Sequence, residues 1–583
     1  MKPFQQILLS LVPALSLLFI SSAQSEQPVD RETREAIFRD AKFGMFIHWG
    51  LYAIPARGEW VMHSEKIQRE EYATLAETFN PTEFNAKEWV RIAKDAGMKY
   101  IVITSKHHDG FAMYGSKASP FNIIEATPFR RDPLKELAEA CKEEGIGLGF
   151  YYSHSKDWHH PGGDGAIHPH DPPVSFDEYL DKVALPQLRE LLTGYGSVFS
   201  IWFDTPAPQV EPRAAEFVEL VRSLQPQALI NSRLIHGGQA INLLTPDELN
   251  ELEKVGVDYF SYADRQIPAN SPWPSWETCM TLNESWGYTK NDTHWKSPRE
   301  LITQLIKVAS RGGNFLLNVG PTAEGIIPQQ SVENLRAVGD WLRTNGEAIY
   351  GTQASPLGTM PWGHCTLKRN DENDLLYLHV FDWPKNGRIN IPGLQSKVKE
   401  ATILGSSTEG QTAKAENGTE VILPPNHPFD SIHVIRLALE GPIQVSGTHP
   451  AADEDGTVTL DASTATLGGA IQLATIENKK NINNWTSRLD TVAWTFSTRA
   501  LATYEVTAEI AGEHKASEFT LISGDARLVT TIPEFKEKGG QHSVQLGTLN
   551  IPAGIQTLLI VPKKGTWNPV RLRSLTLTPV SEK

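Results

Sequence analysis

The 583-residue chain is too long for one ordinary core; at roughly 150 residues per domain it should hold three or four domains, fewer if one is a large barrel. Its net charge of −15 comes from Asp and Glu scattered along the chain, with no basic stripe to follow a phosphate backbone, which sets nucleic acid aside as a partner. The cysteines, Cys141, Cys279 and Cys365, are too few and too far apart for a disulfide framework or a cysteine-based zinc site.

The N-terminus, MKPFQQILLSLVPALSLLFISSAQ, has a lysine, then an apolar run of about a dozen residues, then small Ser21 and Ala23 at the place a signal peptidase cuts. Residues 1–23 are therefore expected to be a secretion signal. No later apolar run approaches the roughly 20 residues of a membrane helix, so the mature chain is expected to be secreted or periplasmic.

Residues 24–352 alternate strands with amphipathic helices. In FNAKEWVRIAKDAGMKYIVITSKHHDG, Asn85 is placed to cap a helix with Glu88 three residues on. Trp89, Ile92, Ala93 and Ala96 make one face, and Gly97 stops the helix before a strand. The next unit repeats this grammar: Asp132 caps, Pro133 opens, Leu134, Leu137, Ala138 and Cys141 line a face, Gly145 ends it, and IGLGFYYS follows. Later strands read VFSIWFDT, ALINSR, DYFSYAD and NFLLNVGP, the last after a helix opened by the capping box Ser297 to Glu300. About eight such units predict an α/β class (β/α)8-like TIM barrel. An open doubly wound sheet is the alternative, but no strand here is followed by a Gly-rich phosphate loop. Beyond the barrel the grammar turns to short β-rich runs. These predict a small β-sandwich over 353–440, a linker over 441–456 and a second β-sandwich over 457–583, with carbohydrate binding as its candidate role.

A barrel builds its active site at the C-terminal strand ends. Those ends present His48, the run His107-His108-Asp109, Tyr151, Asp204, Asn231, Arg233 and Asp264. Acidic groups beside aromatics, histidines and arginine suit a sugar, whose hydroxyls need donors and acceptors while its C–H faces lie on rings; two carboxylates would serve a glycosidic bond. Plainer readings fit some of these residues. A histidine pair can be hydrogen-bonded scaffold, Asp204 with Pro206 nearby can cap a helix, Asp264 can pair with Arg265, and Arg233 can brace a barrel carboxylate. The His-rich stretch SHSKDWHHPGGDGAIHPHD matches no standard metal spacing and reads as an irregular loop over the barrel mouth.

The segments FGMFIHWGLYAIP, GEWV, TSKHHDGF, YYS, IWFD, NSR, SWETCMTLNESWGY and GGNFLLNVGPTAEGIIP, in this order over about residues 38 to 352, resemble glycoside hydrolase family 29, the α-L-fucosidases. The resemblance implies a retaining exo-hydrolase that releases terminal α-L-fucose from fucosylated oligosaccharides or polysaccharides with no metal and no cofactor. It implies Asp204 as nucleophile and His48, Glu59, Trp60, His107, His108, Tyr151 and Arg233 as sugar-binding residues, with Trp286 flanking the deoxy methyl group. The general acid/base falls on Asp264, with Glu277 as runner-up. Thr205 departs from the family pattern, in which glycine often follows the nucleophile. An α-L-galactosidase on the same scaffold, a metal-dependent barrel hydrolase and a carbohydrate-binding protein with a disabled barrel are the competing readings.

Overall fold

The computed structural model describes residues 29–580 apart from 166–172, 238–245, 270, 272, 426–431, 447–448, 477, 538 and 564; the expected signal over 1–23 lies outside the described residues. Eight parallel strands form one curled sheet: β1 (Phe43–Ile47), β2 (Tyr100–Lys106), β3 (Gly147–Tyr152), β4 (Ser200–Phe203), β5 (Leu229–Ile230), β6 (Phe260–Ser261), β7 (Trp276–Thr281) and β8 (Asn314–Val319). Their order is β5-β4-β3-β2-β1-β8-β7-β6. The free ends of that order meet through a parallel bridge between Asn231 and Tyr259, backed by Asp258 N–H donating to Ile230 O and Ser232 N–H to Tyr259 O. This is the TIM-like barrel the sequence predicts.

The two-residue period of a strand sorts each side chain to one layer. Met45, Ile47, Ile101, Ile103, Ile201, Phe203, Phe315 and Leu317 face the surrounding helices and are fully buried there. Phe46, Tyr100, Val102, Tyr151, Trp202, Cys279 and Leu316 fill the barrel. Truncating one of the outward isoleucines to alanine costs about 2–5 kcal/mol, because the cavity left cannot fully collapse. The helices start where the capping residues say. Asn85 accepts from Glu88 N–H and Asp132 from Lys135 N–H, Gly145 ends its helix in the left-handed region at φ 70°, and Ser297 and Glu300 form a reciprocal box. One departure is local: Val90 joins Trp89 and Ala93 in the buried face of its helix, while Ile92 is half-buried.

A helix at Arg31–Ala41 covers the bottom of the barrel. Phe38 packs 4.3 Å from the Tyr259 ring, and its carbonyl accepts from Asn314 Nδ2. Arg34 reaches Asp258 at 3.0 Å; Asp258, wholly buried, also takes Arg222 and the Ile230 N–H, so it anchors the seam between β5 and β6 from below.

After the barrel, strands at Gln353–Ala354, Gly363–Lys368, Leu375–Val380, His433–Leu439 and Val398–Ile403 form one antiparallel sheet, and Arg388–Pro392, Gly418–Ile422 and Gln411–Ala415 a second, around a shared apolar core. Trp341 of the last barrel helix donates to Ile432 O, while Trp362 donates to Asn390 O within this unit. Ile443 and Val445 pack on the same core, so the start of the 441–456 segment lies along the first sandwich. A further six-stranded and five-stranded pair of sheets, from Val458–Asp461 to Leu572–Pro579, encloses its own core around Trp485, Trp494 and Phe496. Among the described residues, no helix is long and apolar enough to cross a membrane.

Candidate active site

The barrel mouth gathers the predicted residues from different strand ends. Trp202 and Asp204 are two apart at the end of β4, so the ring points inward and the carboxyl reaches the rim just above it. Asp204 Oδ2 accepts from the Tyr151 hydroxyl at 2.9 Å and Oδ1 from Arg233 Nη1 at 2.9 Å. Burial pushes this carboxyl up, but the charge and hydrogen bond of Arg233 and the bond from Tyr151 outweigh it and hold Asp204 below the usual carboxylate range. It is therefore an anion at neutral pH.

Arg233 is the hub. Its Nε donates to Ser261 Oγ at 3.0 Å, and its Nη2 donates to Tyr262 O at 2.6 Å and to Asp264 Oδ1 at 2.7 Å. The guanidinium lies 4.6 Å over the Trp202 ring. One rigid fork thus touches both Asp204 and Asp264, which is the bracing role in a stronger form than the sequence suggested. Asp264 lies three residues past β6, with its side chain 49% exposed against 15% for Asp204, so it stands at the outer rim.

Glu277, the runner-up acid, sits elsewhere. It is the second residue of β7, wholly buried inside the barrel; Oε1 accepts from Trp202 Nε1 at 2.8 Å and Oε2 from the Tyr100 hydroxyl at 2.7 Å. Burial raises its carboxyl to about 7. Its neighbour in sequence, Trp276, donates to Arg311 O and takes no part in holding it.

The opposite wall is built by histidines. Of the run Lys106 to Asp109, only the two histidines face the site. Lys106 is buried against Asp157 at 3.0 Å and the Tyr179 hydroxyl, and Asp109 accepts from the Tyr72 hydroxyl at 2.8 Å. This corrects the expectation that Asp109 lines the pocket: its turn to Gly110 aims the carboxyl at the scaffold, where burial lifts it to about 7. His107 lies parallel to Tyr151 at 5.3 Å. Burial drives both His107 and His108 well below the ordinary histidine value, so both are neutral.

Partners fix the tautomers of His108 and His48. Ser153 Oγ donates to Lys156 O, so it accepts from His108 Nδ1 at 2.7 Å and leaves Nε2 as an acceptor facing Thr205 Oγ1 at 3.4 Å and Asp204 at 3.7 Å. By the same logic Asn318 Nδ2 donates to Trp286 O, so its carbonyl accepts from His48 Nδ1 at 2.7 Å and His48 Nε2 is left as an acceptor. A neutral acceptor nitrogen suits a sugar hydroxyl. Glu59 accepts from Gly287 N–H at 2.8 Å, tying the GEWV segment to the loop that carries Trp286, whose ring lies 5.2 Å from His48. Trp60, 37% exposed, stands at the rim edge-on to His108 at 5.3 Å and to Trp158 at 5.1 Å. Thr205 has φ 49°, a left-handed conformation unfavourable for a β-branched residue, which accounts for glycine being the easier choice there.

Asn318, Ser153 and Tyr100 were not singled out in the sequence. Asn318 carried a signal, a polar residue on the inward register next to the apolar run Phe315 to Leu317; Ser153 and Tyr100 carried none. In the described part of the His-rich stretch, His154 bonds Leu234 O and His159 stacks on Phe121. Among the described residues no group of three or more His, Cys, Asp or Glu is arranged to hold a metal ion.

Comparison with known proteins agrees with this fold. Residues 21–347 match the family model described as Alpha-L-fucosidase. Human plasma alpha-L-fucosidase is 32% identical over 432 residues, 68% of this chain and 87% of that one. The crystal structure of alpha-L-fucosidase from Vibrio sp. strain EJY3 superposes with a TM-score of 0.67 at 29% identity, covering 94% of this chain and 98% of that one. A GH29 alpha-L-fucosidase from Bacteroides thetaiotaomicron, trapped as a covalent intermediate with 2-fluoro-fucosyl fluoride, superposes at 0.61 with 30% identity, covering 71% of this chain and 97% of that one. The chain belongs to the α-L-fucosidase family, glycoside hydrolase family 29, and is a glycosidase of that kind.

Proposed function

We propose that the protein is an exported, retaining exo-α-L-fucosidase that cleaves terminal α-L-fucose from fucosylated oligosaccharides or polysaccharides by double displacement, with Asp204 as nucleophile and Asp264 as acid/base. In this reading the chain divides into the barrel over 24–352, the sandwiches over 353–440 and 457–583, and a signal over 1–23. The observation that carries it is the single guanidinium of Arg233 bonded to both carboxylates.

That arrangement keeps the charge balanced through the reaction. Before attack Asp204 is anionic and Asp264 carries the proton. As Asp204 forms the glycosyl ester it loses its charge, and Asp264, having protonated the leaving oxygen, gains one. Arg233 therefore faces one negative charge at every stage, and no reorganisation is needed when the charge moves from one end of its fork to the other. In the second step Asp264 takes a proton from water, which attacks the anomeric carbon, and Asp204 departs as the anion that Arg233 and Tyr151 are placed to stabilise. His48 and His108 offer acceptor nitrogens to hydroxyls, and Trp60 and Trp286 offer ring faces and edges. Glu277 stays below as a buried brace for Trp202. The trapped intermediate of the Bacteroides relative supports the covalent route.

The test is to follow hydrolysis of an aryl α-L-fucoside by proton NMR and identify the first-formed sugar. A retaining enzyme releases α-L-fucose before mutarotation. Initial β-L-fucose, or no cleavage of any α-L-fucoside while an α-L-galactoside turns over, would reject the reading.

A further inference from the structure

Asp264 stands on the least self-supporting side of the barrel. β5 and β6 are two residues long, so neither offers the ladder that fixes β1, β2 or β8. Just past Asp264 the barrel holds Arg265 and Gln266, through Arg265 N–H to Cys279 O at 3.0 Å and Thr278 Oγ1 to Gln266 O at 2.7 Å; the next three residues are held from outside. Ile267 O accepts from Gly469 N–H at 3.0 Å, and Ala269 N–H donates to Thr491 Oγ1 at 3.4 Å; both partners belong to the second sandwich. Arg311, at the end of the barrel helix Pro298–Ser310, donates to Pro268 O with one arm and to Leu467 O at 3.0 Å with the other. Ala269 is buried in an apolar cluster with Ala493, Ile522, Leu559 and Val561 from the five-stranded sheet of that sandwich. The backbones approach so closely that a Cβ on Gly468 would lie 2.9 Å from Ala269 N and 3.0 Å from Thr491 O.

From these contacts we infer that the second sandwich is a positioning element of the active site: it clamps residues 267–269 and so fixes the loop that presents Asp264 to the leaving oxygen. The inference rests on the acid/base reading of Asp264. It makes Gly468 and Thr491 positioning residues, although they lie more than 200 positions along the chain from Asp264. A tethered binding module would leave chemistry on a small fucoside untouched, whereas a clamp would govern the protonation step. Misplacing an acid by an ångström costs far more for a leaving group that needs the proton than for one that departs without it.

The test uses the full-length chain carrying Gly468→Val, which forces the backbones apart, and separately Thr491→Val, which keeps shape and removes the hydrogen bond. Each is assayed on a fucosyl disaccharide and on 2,4-dinitrophenyl α-L-fucoside, with Asp264→Ala in parallel, and amide exchange is followed in peptides spanning 259–269. The expected result for Gly468→Val is faster exchange in that loop and a loss on the order of tenfold in kcat/KM for the disaccharide, with less than about twofold for the activated fucoside. Thr491→Val should show the same pattern more weakly. Equal losses on both substrates, or wild-type rates alongside a loosened loop, would overturn the clamp. If Asp264→Ala itself shows no leaving-group dependence, the acid/base reading fails instead. The clamp is then judged by exchange alone, and an unchanged loop rejects it.

Discussion

The two sides of the barrel mouth are made differently. On the β1–β3 side the strands run five to seven residues, their ladders are continuous but for one irregularity between Thr104 and Lys106, and His48, His107, His108 and Tyr151 pack on one another, with His48, His108 and Tyr151 hydrogen-bonded to barrel residues. On the β5–β6 side the strands are two residues long, and Arg233 and Asp264 depend on a hub of hydrogen bonds, on Asp258 beneath and on the second sandwich outside. The side that reads hydroxyls is self-supporting, and the side that moves a proton borrows part of its rigidity, the rest coming from β7. Recognition needs fixed acceptors, which a long ladder supplies. Placing an acid at the rim requires a loop that leaves the ladder, and such a loop must be braced by something else.

The largest effect should come from Asp204, where the two sides meet. Asp204→Ala is expected to lose on the order of 10^4-fold or more in kcat on every fucoside while circular dichroism stays native, because no ester can form. Azide should restore turnover with a β-L-fucosyl azide product. Retention of even a few per cent of wild-type rate on an unactivated fucoside would remove Asp204 from the nucleophile role.

Next comes the proton-moving side alone. Asp264→Ala should lose about 10^2–10^3-fold on a disaccharide and far less on a dinitrophenyl fucoside, with azide giving the α-configured product. If Glu277→Gln rather than Asp264→Ala shows this pattern, the two carboxyls exchange roles and the comparison breaks.

On the recognition side, Asn318→Ala frees the His48 ring and its tautomer without touching either carboxyl. The expectation is roughly a tenfold fall in kcat/KM, equal for good and poor leaving groups, matching about 1–2 kcal/mol for one oriented hydrogen bond. Leaving-group dependence in this variant would blur the division between the two walls.

The smallest effect concerns Glu277 and stability. Burial lifts its folded value to about 7, above the value of about 4.3 in an unfolded chain. Between the two, the folded state keeps a proton the unfolded state has released. The resulting stability is complete below the lower value and is lost as pH rises through 7. Asp109, also raised to about 7, adds to the same slope. Differential scanning from pH 5 to pH 8 should show the wild-type Tm falling a few degrees more than that of Glu277→Gln, which keeps every other group that titrates there, Asp109, Asp490 and the buried histidines among them, so that the difference between the two curves isolates Glu277. Parallel curves for the two proteins would contradict the assignment.

Much of this architecture was legible because it is local. Asn85, Asp132 and the Ser297–Glu300 box mark helix starts with side chains that bond their own backbone, and the spacing of Trp202 and Asp204 puts ring and carboxyl on one face by period alone. Function at the strand ends followed from residue types that a merely structural strand does not need. The unread parts depend on distant contacts. Nothing near Asp109 announces that Tyr72 will take its carboxyl, and Glu277 looks as available as Asp264 until Tyr100 and Trp202 close over it. Gly468 and Gly469 carry no local mark of a contact, and only the docked sandwich reveals that they meet Ile267 and Ala269.

The anchoring of the seam by Arg34 and Asp258 also sets the order in which the chain can become native. Arg34 lies 224 residues before its partner, and β1 pairs with β8, the last barrel strand to be made. A nascent chain that has completed β1 to β4 therefore carries an open sheet with two unpaired edges and a helix without its anchor. The barrel is therefore expected to become native late, once β8 is available to pair with β1. Amide protection at Met45 and Leu317, neighbours across the closing pair, should accordingly appear together in a refolding experiment, and separate time courses would show that the sheet assembles by another order.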